Sequence, residues 1–235
     1  MTGSVAVVVP VYRNAETLRA LAARLDAALT MPWTLRLVVD ACPAGSGAVA
    51  TAMAAADPRI RVSHLPVNLG QHRAIGAGLA AETDADAWVC MDADLQDPPE
   101  AVPLLLAGLA ERPVAGVFAG RRGAYESRGR RLTGTLHRRA LAALTGLPAD
   151  AGAFLAMNRP LRDAVVTGLR DRRAPSVVVA AGAAGLPLTS LPVARDVRAE
   201  GRSAWTGRAR LRQSASTLWW AFADLITTQA DVSAR

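Results

Sequence analysis

Lysine is absent from this chain of 235 residues, so arginine alone supplies all 27 basic side chains and the formal net charge is +7. Such a balance favours anionic partners, of which nucleotide diphosphates, phospholipid headgroups and nucleic acids are the main classes. Aromatic residues make up only 4% of the sequence, and the arginine clusters lack interleaved aromatics for base stacking. Without those aromatics or a recognisable nucleic-acid-binding module, the pattern argues against a nucleic-acid binder.

Cysteine is scarce as well. The only two cysteines, Cys42 and Cys90, lie far apart in the sequence and form no CxxC pair. That spacing indicates neither a zinc site nor a disulfide framework, and it fits a reducing compartment.

Long hydrophobic runs free of proline are also missing. The longest uncharged run, residues 174–194, contains Pro175, Pro187 and Pro192 and consists mostly of small residues. It therefore predicts a buried helix followed by a strand rather than a membrane span. The opening residues, MTGSVAVVVPVY, show no basic leader, and their apolar run is too short for a signal peptide. These absences predict a cytoplasmic protein.

Short apolar runs alternate with helical patterns along the first half of the chain, which is typical of βαβ units and a mainly parallel sheet. The pattern predicts one large α/β domain over residues 1–195 and a C-terminal loop with an amphipathic helix over residues 196–235. Asn14 is the predicted N-cap of the first helix. The predicted strands are residues 5–9, 35–39, 60–64, 87–91, 114–119 and 188–193, and further predicted helices are residues 48–56, 71–82, 99–109 and 213–226.

The most informative stretch is VCMDADLQDPPE, residues 89–100. Val, Cys and Met suit a buried strand, and the two prolines cannot continue one. Asp92, Asp94 and Asp97 therefore come at the carboxyl end of a strand, where open α/β sheets bind their ligands. Closely spaced carboxylates with the amide oxygen of Gln96 predict a site for a hard divalent cation.

Five segments occur in a characteristic order: VPVYRNAETL, Asp40 after the second strand, NLGQHRAIGAGL, MDADLQDPPE and RAEGRSAW. In that order the chain resembles family 2 glycosyltransferases of the GT-A fold. Within the family it is most similar to the branch of dolichol-phosphate mannose synthase and the bacterial polyprenyl-phosphate glycosyltransferases. The resemblance implies a Rossmann-like nucleotide-binding sheet and the transfer of a sugar, with inversion, from a nucleotide diphosphate donor.

The resemblance also implies a role for individual residues. Pro10 and Tyr12 would line the pocket for base and ribose, and Asp40 would accept a hydrogen bond from the base. Asp94 and Gln96 would hold Mg²⁺ or Mn²⁺ against the diphosphate, where a cation stabilises the charge on the leaving group. The implied donor-binding residues are Pro10, Tyr12, Asp40, Asn68, Asp92, Arg121, Arg198 and Arg202; the implied catalytic residues are Asp92, Asp94 and Asp150.

Two motifs depart from the family pattern. After the second strand, relatives carry DDGSxDG, whereas this chain has DACPAGSG, so recognition of the base is expected to differ. Where relatives read GDFRL, this chain reads GAFLA, which lacks the acid and the arginine. A phosphate acceptor is already ionised near neutral pH and attacks without a general base; otherwise Asp150 or Asp92 is the candidate base.

Three functions stay open at this point. The first is a transferase that uses a polyprenyl phosphate acceptor, the second a soluble transferase acting on a small natural product or another hydroxyl acceptor. The third is a non-catalytic protein that binds a nucleotide sugar or a lipid headgroup. The patch of Trp219, Trp220 and Phe222, close in sequence to three arginines, either lies on the inner face of an anionic membrane or packs in a core or dimer contact.

Overall fold

A mixed, mostly parallel sheet organises the protein. The computed structural model describes residues 3–122 and 145–195 together with Trp220. Within these residues the sheet has seven strands. They are β1 (Val5–Val11), β2 (Trp33–Asp40), β3 (Ile60–Leu65), β4 (Ala87–Cys90), β5 (Gly116–Arg122), β6 (Leu155–Met157) and β7 (Leu188–Ala194).

Helices cover both faces of this sheet. In the described residues they are α1 (Leu18–Ala28), α2 (Ser46–Ala56), α3 (Gln71–Ala81), α4 (Val102–Glu111), α5 (Arg159–Arg170) and α6 (Val177–Gly182), with one 3₁₀ turn at Pro99–Ala101. None of the helices in this part of the chain combines the length and the hydrophobicity that crossing a bilayer requires.

The strand order, β3-β2-β1-β4-β6-β5-β7, places β1 between β2 and β4. Strands β1 to β4 run parallel, β6 runs antiparallel to both β4 and β5, and β7 is parallel to β5. The carboxyl ends of β1, β2, β4 and β5 therefore meet at one edge of the sheet. In open α/β sheets that edge is where ligands bind.

The core forms two layers because the central strands are buried on both faces, as parallel strands between helices must be. Val7 and Val9 pack in one layer, towards α1, α2 and α4. Ala6 and Val8 pack in the other, where Trp88 and Phe118 are the largest buried side chains. Helix α3 lies directly on the sheet at Gly78, where a Cβ atom would overlap the side chains of Val8 and Val38.

The structure confirms the α/β fold and all six predicted strands, with shifts of a few residues at their ends. Residues 174–194 form a buried helix followed by a strand, also as predicted. The short β6 and helix α5 were not predicted. The prediction for Asn14 was wrong: α1 begins at Leu18, and the Asn14 side chain instead accepts a hydrogen bond from the Tyr12 N–H. The predicted helix 213–226, apart from Trp220, lies outside the described residues.

Candidate functional site

Backbone strain marks the edge where the parallel strands end. Among the described residues, four non-glycine residues have positive φ, and three of them lie in the loops that follow strands at this edge. Arg13 follows β1 with φ 60°, Ala41 follows β2 with φ 46°, and Leu95 lies in the loop after β4 with φ 59°. Such conformations cost about 1–3 kcal/mol each and are concentrated at functional sites.

The loop after β4 carries the partly buried acids of the predicted cation site. The backbone N–H of Gln96 donates to Asp94 Oδ1 at 3.1 Å, which closes a tight turn around Leu95. Asp92 Oδ1 accepts a hydrogen bond of 2.6 Å from Nε2 of Gln71. Both carboxylates are thus held in place by neighbouring groups at the carboxyl end of the strand.

Asp40, at the end of β2, organises the turn that begins α3. Its carboxylate is only 3% exposed, and it accepts hydrogen bonds from the N–H groups of Leu69 at 2.7 Å and Gly70 at 2.8 Å. The Asn68 side chain donates to the Asp40 carbonyl oxygen at 3.2 Å. Asp40 and Asn68, which were predicted to bind the donor, are therefore adjacent and hold each other's loops.

The loops after β1 and β2 are joined through Cys42. The Arg13 N–H donates to Cys42 Sγ at 3.1 Å, and the Asn14 N–H donates to Ser46 Oγ at 3.0 Å. Burial raises the pKa of the Cys42 thiol, but hydrogen bonds with Ser46, Ala44 and Arg13 outweigh that effect and lower the pKa overall. The Cys42 sulfur therefore accepts backbone N–H groups from both loops.

Pro10 and Tyr12 lie at the same edge, at the end of β1. Pro10 is partly buried, whereas the Tyr12 ring is 42% exposed and has the Arg13 guanidinium 5.4 Å from its centre. An exposed ring beside a ligand edge is available for stacking.

Asp150 reaches this edge from the segment that precedes β6. Its carboxylate lies against Gly120 near the end of β5, so closely that a Cβ atom at Gly120 would overlap it. Arg121 is the next residue of β5, and its side chain is outside the described part of the structure. Arg198 and Arg202 also lie outside the described residues, and their roles stay predictions.

One ion pair at this edge was not foreseen. Asp97, grouped by sequence with the other acids of its loop, is buried and pairs with Arg195, whose Nε lies 2.7 Å from Asp97 Oδ1. Arg195 follows the last residue of β7. The pair links the loop after β4 to the end of the edge strand β7, 98 residues away in the sequence. No local sequence pattern indicates such a partner.

Replacing Arg195 with Met is expected to lower the free energy of unfolding by about 2 kcal/mol, because it leaves a buried carboxylate without this cation. The expected loss of stability is smaller than for a fully buried pair, because the Arg195 side chain is 20% exposed, whereas that of Asp97 is 7% exposed. Urea unfolding at neutral pH measures it. The matched control is Arg170→Met, which breaks the exposed pair with Asp171; equal losses in the two variants would contradict the prediction.

The acidic loop fits a cation that also binds phosphate. Within the described residues no three His, Cys, Asp or Glu side chains form a ready-made metal cage. Asp94 and Gln96, with Asp92 nearby, offer two carboxylates and an amide oxygen, which are the hard ligands that Mg²⁺ and Mn²⁺ accept. Mg²⁺ in particular is commonly bound by one or two carboxylates together with substrate phosphates. This donor set is therefore suited to a metal that arrives with a phosphorylated ligand.

His72, in the first turn of α3, is a partly buried histidine whose Nδ1 atom is shielded from solvent. Its Nδ1 has no hydrogen-bond partner within the described residues, and burial lowers its pKa to about 4 from the ordinary 6.5. Folding therefore favours the neutral imidazole.

This histidine predicts a loss of stability in acid. In the unfolded chain this histidine becomes protonated below about pH 6.5, whereas in the folded protein it stays neutral down to about pH 4. The free energy of unfolding therefore falls by about 3 kcal/mol as the pH is lowered through that interval. Urea unfolding at pH 7 and pH 4.5 should show a smaller pH difference in His72→Gln than in the unchanged protein. His64→Gln, at an exposed histidine, should keep the full difference; a His72→Gln profile identical to it would contradict the assignment.

Trp220 packs against the protein's own helices. Its Nε1–H donates to the Arg172 carbonyl oxygen at 2.8 Å, and its ring joins the core layer beside α5 and α6. Trp220 lines a groove between these helices together with Thr167 and Ala184. Trp220 is thus partly buried against the core layer, and the expectation of a membrane contact for the aromatic patch stays a prediction. Trp219, Phe222 and the neighbouring arginines lie outside the described residues.

Comparison with known proteins gives a consistent picture. The family model described as glycosyl transferase family 2 matches residues 6–163. The undecaprenyl-phosphate 4-deoxy-4-formamido-L-arabinose transferase of Yersinia enterocolitica is 39% identical over 108 residues, which cover 44% of this chain and 32% of that protein. The enzyme of the same name from Serratia proteamaculans is 42% identical over 107 residues, covering 43% and 32%. The matched segment spans about a third of the length of these curated relatives.

Solved structures of glycosyltransferases share the fold. Glucosyl-3-phosphoglycerate synthase from Mycobacterium tuberculosis, in complex with Mn²⁺, UDP and phosphoglyceric acid, matches with a TM-score of 0.66 at 20% identity, covering 95% of this chain and 78% of that one. A mannosyltransferase from Pyrobaculum calidifontis, in complex with GDP-mannose and Mn²⁺, matches with a TM-score of 0.58 at 19% identity, covering 97% and 65%. The fold is GT-A.

Proposed function

Because this chain belongs to glycosyl transferase family 2, we propose that it transfers a sugar from a nucleoside diphosphate donor to a polyprenyl phosphate, with inversion at the anomeric carbon. The observation that carries this proposal is the convergence of Asp40, Asp92 and Asp94 at one strained edge of the sheet. Each of the three carboxylates accepts a hydrogen bond either from the start of α3 or from the loop after β4. Such preorganisation is what binding a charged donor requires.

The nucleoside end of the donor would lie between the loops that follow β1 and β2. The exposed ring of Tyr12 offers a stacking surface, and Pro10 lines the same strand end. Asp40 already accepts two N–H groups, but each carboxylate oxygen can accept a second hydrogen bond. A contact from Asp40 to the base is thus compatible with its structural bonds, and Asn68 would contribute from the adjoining turn.

The diphosphate would lie over the loop after β4. Asp94 and Gln96 would hold Mg²⁺ or Mn²⁺, with Asp92 facing the ribose or the metal-bound phosphates. When bound, the cation offsets the negative charge that collects on the departing nucleoside diphosphate. Arginine from the end of β5, Arg121 first, matches phosphate geometry and would add to this neutralisation.

For the acceptor we propose a polyprenyl phosphate, by analogy with the curated relatives that are named for undecaprenyl phosphate. A phosphate monoester carries its negative charge near neutral pH. One of its oxygens attacks the anomeric carbon while the bond from that carbon to the donor oxygen breaks, and the electron pair leaves with the nucleoside diphosphate. No proton has to move, so the transfer does not need the acid that the GAFLA segment lacks.

A hydroxyl acceptor is the second candidate, because Asp150 lies at the same edge beside Gly120. A hydroxyl must lose a proton to become a good nucleophile, and a carboxylate at this position would serve as its general base. The two candidates differ in how much they depend on Asp150.

The proposal is tested by calorimetric titration with UDP, GDP, CDP and dTDP, each with and without Mn²⁺. We expect one nucleotide to bind tightly and only with the metal. The corresponding sugar donor should then release its nucleoside diphosphate when undecaprenyl phosphate in detergent is added. If none of the nucleotides binds in the presence of Mn²⁺, the donor site is wrongly assigned and a non-catalytic role is favoured.

Replacing Asp150 with Asn separates the two acceptor classes. With a phosphate acceptor we expect turnover to stay within about threefold of the unchanged protein, since no base is needed. A loss of about 100-fold or more would fit a general base and a hydroxyl acceptor. Turnover is measured as nucleoside diphosphate release at saturating donor.

A further inference from the structure

Gln71, the first residue of α3, makes a short hydrogen bond to one of the site's acids: its Nε2 lies 2.6 Å from Asp92 Oδ1. We propose that Gln71 is a positioning residue of the donor site, whose amide fixes the Asp92 carboxylate in the orientation that receives the donor. The inference rests on the proposed function and deepens it.

The start of α3 is held firmly enough to give Gln71 this role. Asp40 binds the N–H groups of Leu69 and Gly70, and Gly70 takes φ 84°, a conformation that favours glycine. The backbone immediately before Gln71 is therefore fixed from β2. Its side chain then extends to Asp92, which follows β4.

The resulting link passes over the end of strand β1. Since β1 lies between β2 and β4, the ends of β2 and β4 are separated by two strand spacings, about 10 Å. The chain of contacts from Asp40 through the turn to Gln71 and on to Asp92 spans that gap. It joins the acid assigned to the nucleoside end of the donor with the acid assigned to its ribose or diphosphate.

An amide suits this position better than a charged group. Asp92 and Asp94 are two carboxylates on one short loop, and their repulsion favours turning one of them away. The N–H donor of Gln71 opposes that rotation without adding a positive charge that would compete with a cation for the carboxylates. Holding the acid beforehand lowers the cost of ordering it when the donor binds.

The test uses three substitutions of Gln71. Gln71→Leu removes the N–H donor at similar size, Gln71→Glu sets a carboxylate against Asp92, and Gln71→Lys retains a donor. Because Gln71 is exposed, all three should fold, and thermal melting verifies this. The matched control is Glu111→Gln at the far end of α4, which is exposed and lies away from the carboxyl edge.

Affinity for UDP, GDP, CDP and dTDP with Mn²⁺ is measured by calorimetry. For whichever nucleotide the unchanged protein binds, we expect about tenfold weaker binding in Gln71→Leu, about 100-fold weaker binding in Gln71→Glu, and only about threefold weaker binding in Gln71→Lys, which keeps a donor but adds a charge that competes with the cation. Glu111→Gln should bind as the unchanged protein does. This dependence on the chemistry of the side chain is not expected from a residue that only starts a helix.

Two results would overturn the inference while leaving the proposed function in place. One is unchanged affinity in both Gln71→Leu and Gln71→Glu. The other is an equal loss in all three variants together with a lower melting temperature, which indicates a purely structural residue. Absence of binding by the unchanged protein would instead remove the proposed function, and this inference with it.

Discussion

Asp94→Asn is expected to lower kcat/KM for the sugar donor by a factor on the order of 1000. Asn keeps the size of the side chain and one oxygen, but it removes the negative charge that would hold Mg²⁺ or Mn²⁺ against the diphosphate. Without that charge the leaving nucleoside diphosphate loses its main electrostatic stabilisation. The loop itself should persist, because the amide oxygen of Asn can still accept the hydrogen bond that Gln96 N–H donates to Asp94 Oδ1.

The measurement is steady-state release of nucleoside diphosphate over a range of Mn²⁺ concentrations. In Asp94→Asn, raising Mn²⁺ should restore little of the activity, and adding EDTA should bring the unchanged protein down to a similar level. Asp84→Asn makes the same chemical change at an exposed residue just before β4, at the opposite edge of the sheet. Full activity in Asp94→Asn, or an equal loss in Asp84→Asn, would contradict the metal assignment.

Asp40→Ala is expected to lower the free energy of unfolding by about 4 kcal/mol and to weaken nucleotide binding at the same time. The variant removes a charged acceptor from the N–H groups of Leu69 and Gly70, and hydrogen bonds to charged groups contribute about 1.5–3 kcal/mol each. Since this carboxylate is 3% exposed, water replaces it poorly. The turn that begins α3 then loses its anchor.

Urea unfolding and calorimetric titration, run on the same variants, check both effects. Asp40→Asn should show about half the loss of stability, because its amide oxygen still accepts one N–H. The matched control is Asp86→Ala, since Asp86 also accepts two hydrogen bonds, from N and Oγ of Ser4, but on the surface; a much smaller loss is expected there. Unchanged stability in Asp40→Ala would show that the turn does not depend on this acid.

Much of the site could be predicted because it follows strand ends that are recognisable locally. Buried parallel strands need unbroken apolar runs, so the acids after β4 could be assigned to the carboxyl edge from VCMDADLQDPPE alone. The placement of Asp92, Asp94 and Gln96 in one loop agrees with that prediction. Their roles towards a metal and a donor stay predictions, as do those of Arg121, Arg198 and Arg202.

Features that depend on distant partners could not be predicted. Strand β6 has only three residues, and it forms because β4 and β5 offer edges on both sides of it. Asn14 was assigned to a helix cap from its position in sequence, but the Tyr12 N–H and Ser46 compete for its polar groups in the folded protein. Local propensity is a weak guide wherever such tertiary contacts are available.

By itself the sequence determined the βαβ pattern, the position of the acidic loop and the similarity to family 2 glycosyltransferases, because all three depend on residues close together in the chain. Only the tertiary structure decided which partner each of these acids contacts. Asp40 anchors a turn, Asp92 is held by Gln71, and Asp97 pairs with Arg195. These partners lie between 21 and 98 residues apart, so their chemistry is set only when the sheet brings its strand ends together.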